Sequence, residues 1–191
     1  MSNREAITHE IREVIKKYKN IVISGEVGVG KIIHTLEALQ GRDNVYYMGN
    51  PVDYVGNPRP KGYDKYIDYI KSLKKDMQII ATEKEILSVD LSSSAKTGSV
   101  LVIDEIFGRG PKQHEKILEI LDCDKVKVII IAGCLKNIGR IIQKCDIVLM
   151  LIQDGTLLLD KEFVEKICSV LGSEPPGEQR DLFTVNDLPE K

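Results

Sequence analysis

The sequence of 191 residues has no long apolar run, which excludes a membrane-spanning helix as its organising element. Its first residues, Met1-Ser2-Asn3-Arg4-Glu5, lack the apolar core of a targeting peptide. A large excess of charge of one sign is also missing, because 27 basic and 29 acidic residues leave a net charge of −2. A globally basic surface for nucleic acid or membrane is therefore excluded, and any such contact must be local.

Metal-type cysteine spacing and internal repeats are absent as well. The cysteines are scattered through the second half of the chain, at Cys123, Cys134, Cys145 and Cys168. Without a targeting segment they are best interpreted as reduced thiols, which predicts a cytoplasmic protein. The composition, 42% apolar and 29% charged, is typical of a globular domain with a sizeable core.

The strongest motif follows the first apolar run, Asn20–Ser24. Residues 25–31 read G-x-x-x-x-G-K, and a helical pattern begins directly after them. Glycines allow successive backbone N–H groups to turn towards one anion, a helix N-terminus adds partial positive charge, and the lysine can bridge terminal phosphates. We call this segment the glycine loop (residues 25–31). Its predicted nucleotide contacts are Gly25, Glu26, Val27, Gly28, Val29, Gly30, Lys31 and the next residue, Ile32.

An acidic pair ends a second apolar strand. Val100–Ile103 is followed at once by Asp104 and Glu105. In nucleotide hydrolysis the first carboxylate of such a pair approaches Mg²⁺, and the second orients or deprotonates the attacking water. The sequence therefore predicts Asp104 as a metal residue, with Glu105 and Lys31 as catalytic residues.

Predicted strands alternate with predicted helices along most of the chain. This alternation favours an α/β fold with a mostly parallel sheet and helices on both faces. The ligand of such a sheet binds at the carboxyl ends of the strands, where the glycine loop lies. A strand at Gly155–Leu159 is expected to fold back as a hairpin, and the segment Thr82–Ala95 to contain one helix.

The glycine loop followed by the acidic pair resembles the P-loop NTPases, in particular the Asp-Glu branch that includes the AAA+ and recombinase-like ATPases. The resemblance covers about residues 19–152. It implies the P-loop NTPase three-layer sandwich, with ATP and Mg²⁺ as cofactors. It also implies an extra strand, here Val126–Ala132, between the strands that carry the loop and the acidic pair.

The same resemblance implies two further functional residues. A polar sensor should lie at the tip of the inserted strand, where Asn137 is the candidate. An arginine finger should precede Cys145, but Lys144 stands there, so Arg140 or Arg109 would have to serve.

Ile32 departs from the family pattern, because Ser or Thr normally supplies a hydroxyl to Mg²⁺ at this position. Thr35, one turn later, is too distant to replace it. We therefore expect nucleotide binding to be retained better than hydrolysis, as in a slow or switch-like ATPase. The predicted role is that of an accessory AAA+-like factor in DNA replication, repair or mobile-element biology, as a homo- or hetero-oligomer. The alternatives are a DNA-pumping ATPase of the packaging or transfer type and a non-hydrolysing nucleotide-binding interaction subunit.

The composition changes near Gly172, which predicts a P-loop NTPase domain over residues 1–172 and a flexible acidic tail over residues 173–191. The tail contains Q-R-D-L-F at residues 179–183, which resembles the peptide Q-x-[SD]-L-F by which bacterial replication and repair proteins bind the sliding clamp. A clamp would be bound by Gln179, Asp181, Leu182 and Phe183. In the alternative interpretation, Leu182 and Phe183 pack back onto the domain.

The most basic stretch, around residues 59–75, interleaves lysines with Tyr63, Tyr66 and Tyr69. Phosphate contacts with base stacking would make it a DNA-binding surface. The alternative is an amphipathic helix with a solvated lysine face.

Overall fold

A computed structural model describes residues 2–51, 62–106, 109–133, 135, 138–152 and 155–159. Helices are α1 (Asn3–Lys17), α2 (Lys31–Ala38), α3 (Tyr63–Leu73), α4 (Glu83–Ser88), α5 (Leu91–Ser94), α6 (Pro111–Leu121) and α7 (Gly139–Ile142). Strands are β1 (Asn20–Gly25), β2 (Val45–Met48), β3 (Gln78–Ile80), β4 (Ser99–Ile103), β5 (Val126–Ala132), β6 (Ile147–Ile152) and β7 (Gly155–Leu159).

The strands form one seven-stranded sheet in the order β3-β2-β4-β5-β1-β6-β7. Every neighbouring pair is parallel except β6 and β7, which form the expected antiparallel hairpin. The predicted α/β class with a mostly parallel sheet is therefore confirmed. Strand β5 lies between β1 and β4, the position expected for the inserted strand. The glycine loop and the acidic pair consequently follow two strands whose carboxyl ends lie at the same edge of the sheet.

Helices cover both faces of the sheet, and each face has its own apolar cluster. One cluster joins α1, α2 and α3 to the sheet, and the other joins α4, α5, α6 and α7 to the opposite face. The alternating residues of β1 show the division, because Ile21 and Ile23 belong to the first cluster and Val22 to the second. The central strands are buried on both faces, which explains their nearly continuous Val and Ile content.

The segment Thr82–Ala95, expected to contain one helix, contains two. It forms the short helices α4 and α5, because Asp90 caps a new helix by accepting hydrogen bonds from the backbone N–H groups of Ser92 and Ser93. Throughout the described part of the chain, no helix combines the length and apolar character needed to cross a membrane. The predicted domain boundary and the whole tail, including Gln179, Asp181, Leu182 and Phe183, lie outside the described residues.

Candidate functional site

The backbone of the glycine loop depends on glycine at three positions. Gly25, Gly28 and Gly30 have φ angles of +143°, +90° and +78°, a region that L side chains rarely adopt. Gly25 is also closely packed, because a Cβ placed there would lie 2.3 Å from the carbonyl oxygen of Leu151 on the neighbouring strand β6. These conformations turn the chain sharply from the end of β1 into the first turn of α2.

The loop presents backbone donors that the protein itself does not use. Within the described residues, the N–H groups of positions 28–33 donate to no other atom, and α2 has no side-chain N-terminal cap. Unpaired N–H groups at the start of an eight-residue helix are the donor set that phosphate oxygens require. Nucleotide phosphates therefore fit the residues present.

Lys31 closes over this loop. Its Nζ donates to the carbonyl oxygens of Gly25, at 2.6 Å, and of Glu26, at 2.7 Å. Burial lowers the pKa of Lys31, whereas the nearby carboxylates of Glu105, Asp104 and Glu26 act to raise it. The lysine thus lies within electrostatic reach of the acidic pair, as the sequence predicts.

No hydroxyl from α2 is available to a metal beside the loop. Ile32 packs partly buried against the apolar cluster of α1, α2 and α3. Thr35 is 0% exposed, and a hydrogen bond to the carbonyl oxygen of Lys31, at 2.7 Å, holds its Oγ1 against the helix backbone, so this hydroxyl is buried rather than offered to a metal. The structure thus agrees with the expectation that Thr35 does not replace the missing hydroxyl.

Asp104 is held by two tyrosines from other parts of the fold. Its Oδ2 accepts hydrogen bonds from the hydroxyls of Tyr47, at 2.5 Å, and Tyr66, at 2.7 Å. Burial raises the pKa of Tyr47 well above its ordinary value, and the negative charge of Asp104 acts in the same direction. The sequence analysis missed both residues, and it treated Tyr66 only as a candidate for base stacking.

Glu105 has an unusual backbone conformation, with φ at +40°. Its carboxylate accepts a hydrogen bond from the backbone N–H of Gly133, with 3.1 Å between N and Oε2. Gly133 directly follows strand β5, so the tip of the inserted strand contacts the predicted catalytic glutamate through its backbone. The predicted sensor Asn137 lies outside the described residues.

Arg109 is a structural residue of this edge rather than an exposed finger. Its side chain is 6% exposed, and its guanidinium donates to the carbonyl oxygens of Met48, Gly49, Asp104 and Glu105. Burial lowers the pKa of Arg109 to about 10. The interpretation of Arg109 as a trans-acting finger is therefore wrong, because the side chain is buried and donates to carbonyl oxygens of the same chain. Arg140 is exposed and paired with Glu115 at 2.6 Å.

The described residues contain no cluster of three or more His, Cys, Asp or Glu side chains that could form a protein-only metal site. A Mg²⁺ site of the nucleotide type needs no such cluster, because one or two carboxylates, substrate phosphates and water share the ion. Asp104 is the residue of this edge best suited to contribute to such a site.

Comparison with known proteins gives little further information. No protein-family model and no curated protein matches the chain. Among solved structures, the genome-packaging NTPase B204 of Sulfolobus turreted icosahedral virus 2, in complex with ATP-gammaS, aligns over 80% of this chain and 86% of its own. The sequence identity is 11% and the TM-score 0.39. At these values the likeness carries neither a family nor a function to this chain.

Proposed function

We propose that the chain is an ATP-binding P-loop NTPase with slow or switch-like hydrolysis. One observation supports the proposal above the others: unpaired loop N–H groups and Lys31 share a sheet edge with Asp104 and Glu105. The N–H groups and Lys31 would bind the phosphates, and Asp104 would hold Mg²⁺ through water. Mg²⁺, when bound, neutralises developing phosphate charge. Glu105 would orient the attacking water.

A binding measurement tests the first half of this proposal. ATP affinity is measured by calorimetry for the wild type, Lys31→Ala and the control Lys84→Ala, whose lysine is exposed on α4. Because hydrogen bonds to charged groups contribute about 1.5–3 kcal/mol each, Lys31→Ala should weaken binding about 10–100-fold. Lys84→Ala should match the wild type. Equal affinity in both variants, or no ATP binding by the wild type, would contradict the proposal.

Slow hydrolysis is proposed because Ile32 has no hydroxyl and the hydroxyl of Thr35 is buried. Ile32→Thr should therefore raise Mg²⁺-dependent phosphate release. Ile33→Thr is the matched control, because it makes the same chemical change at the next position. Fast wild-type release that Ile32→Thr leaves unchanged would contradict slow hydrolysis. ATP binding without any phosphate release would instead favour a non-hydrolysing interaction subunit.

The accessory AAA+-like role in DNA replication, repair or mobile-element biology is the finer part of the proposal. Its support is the family resemblance of residues 19–152 and the clamp-like peptide of the tail. Native mass with and without ATP and duplex DNA tests it, since ring assembly on DNA would favour a DNA-pumping ATPase instead. Capture of a sliding clamp by the wild type and by the variants Leu182→Ala and Phe183→Ala tests the clamp-binding hypothesis for the tail. Undiminished capture by the variants, or no capture by the wild type, would eliminate that hypothesis.

A further inference from the structure

Two tyrosine hydroxyls and one oxygen of Asp104 lie within hydrogen-bond distance of one another at the carboxyl end of β4. The hydroxyls of Tyr47 on β2 and Tyr66 on α3 lie 3.2 Å apart, and both lie within hydrogen-bond distance of Oδ2 of Asp104. Each tyrosine hydroxyl has a single proton, so both protons are donated to the same carboxylate oxygen. Tyr47 is completely buried, and Asp104 is 7% exposed. Two separate elements of the fold thus fix one carboxylate.

The other oxygen of this carboxylate is left for a ligand. Within the described residues, Oδ1 of Asp104 accepts no hydrogen bond. Asp104 as a whole is 7% exposed, so the residue keeps a small accessible surface. Within the described residues, hydrogen bonds therefore hold one oxygen of the carboxylate and leave the other without a protein donor, at the sheet edge that carries the glycine loop.

This arrangement bears on the missing hydroxyl at position 32. In P-loop NTPases the loop Ser or Thr and the strand Asp hold Mg²⁺ together. Here Ile32 and Thr35 contribute no hydroxyl, so more of the ordering of the metal falls to Asp104. Groups that hold a metal ligand by hydrogen bonds orient it, and losing one typically costs 10–100-fold in metal affinity or activity.

We propose that Tyr47 and Tyr66 are positioning residues of the metal site, which fix Asp104 so that only its Oδ1 is offered to Mg²⁺. This inference rests on the proposed nucleotide function. The tyrosine pair supplies the ordering that a loop hydroxyl would otherwise give, and it explains how the site tolerates Ile32. A purely structural role predicts something different, namely that the hydroxyls matter for folding and not for the metal.

The neighbouring Tyr46 is a matched control. It lies on the same strand as Tyr47, is 8% exposed, and packs into the apolar cluster on the opposite face of the sheet. Tyr46→Phe therefore removes the same atom at a similar depth without touching Asp104. Tyr66→Phe is the principal variant because Tyr66 is only partly buried, and Tyr47→Phe is the second.

The experiment measures ATP affinity by calorimetry over a Mg²⁺ titration and in EDTA. Tyr66→Phe and Tyr47→Phe should weaken the apparent Mg²⁺ affinity about 10–100-fold and leave ATP affinity in EDTA unchanged. Tyr46→Phe should stay within about twofold of the wild type on both measurements. Adding Ile32→Thr to Tyr66→Phe should restore Mg²⁺ affinity by a larger factor than Ile32→Thr gives in the wild type.

Coupling to Asp104 separates positioning from packing. In an Asp104→Asn background, Tyr66→Phe should have no further effect on Mg²⁺ affinity, because residues in one network are not additive. Equal Mg²⁺ affinity in Tyr66→Phe and Tyr46→Phe would overturn the inference while the nucleotide function stands. Tighter Mg²⁺ binding in the tyrosine variants would also overturn the inference, because it would mean that the hydroxyls compete with the metal for the carboxylate of Asp104. A wild type that binds no ATP would overturn the nucleotide function, and the inference with it.

Discussion

The glycine loop and the end of β4 lie at the same edge of the sheet, but they differ in how many of their polar groups are already hydrogen-bonded within the protein. In the loop, the N–H groups of positions 28–33 have no acceptor within the described residues, and Nζ of Lys31 donates to carbonyl oxygens of the loop itself. At the end of β4, the carboxylates of Asp104 and Glu105 and both of their carbonyl oxygens already accept hydrogen bonds. The backbone donors of the glycine loop are thus unpaired, whereas the acceptors at the end of β4 already have partners within the protein.

The difference shows how each half is built. The loop depends on local backbone conformation, since three positive φ angles turn its donors outward. The end of β4 depends on contacts from distant elements, namely β2, α3 and the tip of β5. Substitutions in the loop should therefore destabilise it through backbone strain. Substitutions around the end of β4 should act through the loss of hydrogen-bond partners. The following predictions test that distinction.

The largest effect on stability is expected from Gly25→Ala. The new Cβ would lie 2.3 Å from the carbonyl oxygen of Leu151, and the backbone would be held at a φ of +143°. Strain and the forced contact together should lower the free energy of unfolding by about 4 kcal/mol. Gly28→Ala is the control, because its Cβ would meet open space, and it should cost only about 1–2 kcal/mol in urea unfolding. Equal losses in the two variants would contradict the steric argument.

Arg109→Ala should be the next largest, and it affects the other half of the site. The substitution leaves buried carbonyl oxygens without a donor, so the free energy of unfolding should fall by about 3 kcal/mol. Arg140→Ala removes an arginine from an exposed pair with Glu115 and should cost less than about 1 kcal/mol. Similar urea midpoints for the two variants would show that Arg109 does not organise the end of β4.

Much of the fold could be predicted because it depends on local patterns. The apolar runs before the glycine loop and before the acidic pair predict β1 and β4, and the strand expected at Gly155–Leu159 folds back as β7. The position of β5 between β1 and β4 came from the resemblance to a family, because periodicity alone gives no strand order. The segment Thr82–Ala95, predicted to contain one helix, contains two, because Asp90 caps a second one.

The site residues proposed from the sequence all belong to motifs that are contiguous in it. Lys31, Asp104 and Glu105 belong to such motifs, and the structure places them within electrostatic reach of one another. Tyr66 lies 38 residues from Asp104 in the sequence, and nothing in the periodicity of α3 indicates that its hydroxyl would reach a carboxylate. Backbone donors such as the N–H of Gly133 carry no residue signature at all.

Gly133→Ala should affect catalysis with little loss of stability. A Cβ at this position would lie 2.9 Å from Oε2 of Glu105, which is the end of a flexible side chain and can move. The free energy of unfolding should therefore change by less than about 1 kcal/mol. Because a displacement of about 1 Å in a catalytic group can cost a hundredfold, phosphate release should fall about 10–100-fold while ATP affinity stays constant. Gly139→Ala, with nothing near its Cβ, is the control, and unchanged release by Gly133→Ala would remove Glu105 from this role.

The smallest predicted effect compares two histidines, the buried His34 and the half-buried His114. His34 on α2 lies beneath Gly30 and contacts Thr8 on α1, and His114 on α6 bonds to the backbone of Ile106. Burial lowers the pKa of both rings, so the unfolded chain binds protons that the folded chain does not. Stability should therefore fall as the pH drops below about 6.5, by no more than about 1.4 kcal/mol per pH unit for each proton. Urea unfolding between pH 5 and 8 should show this slope reduced in His34→Gln and again in His114→Gln. If His34→Gln left the slope unchanged, neutral burial of His34 beneath the glycine loop would be contradicted.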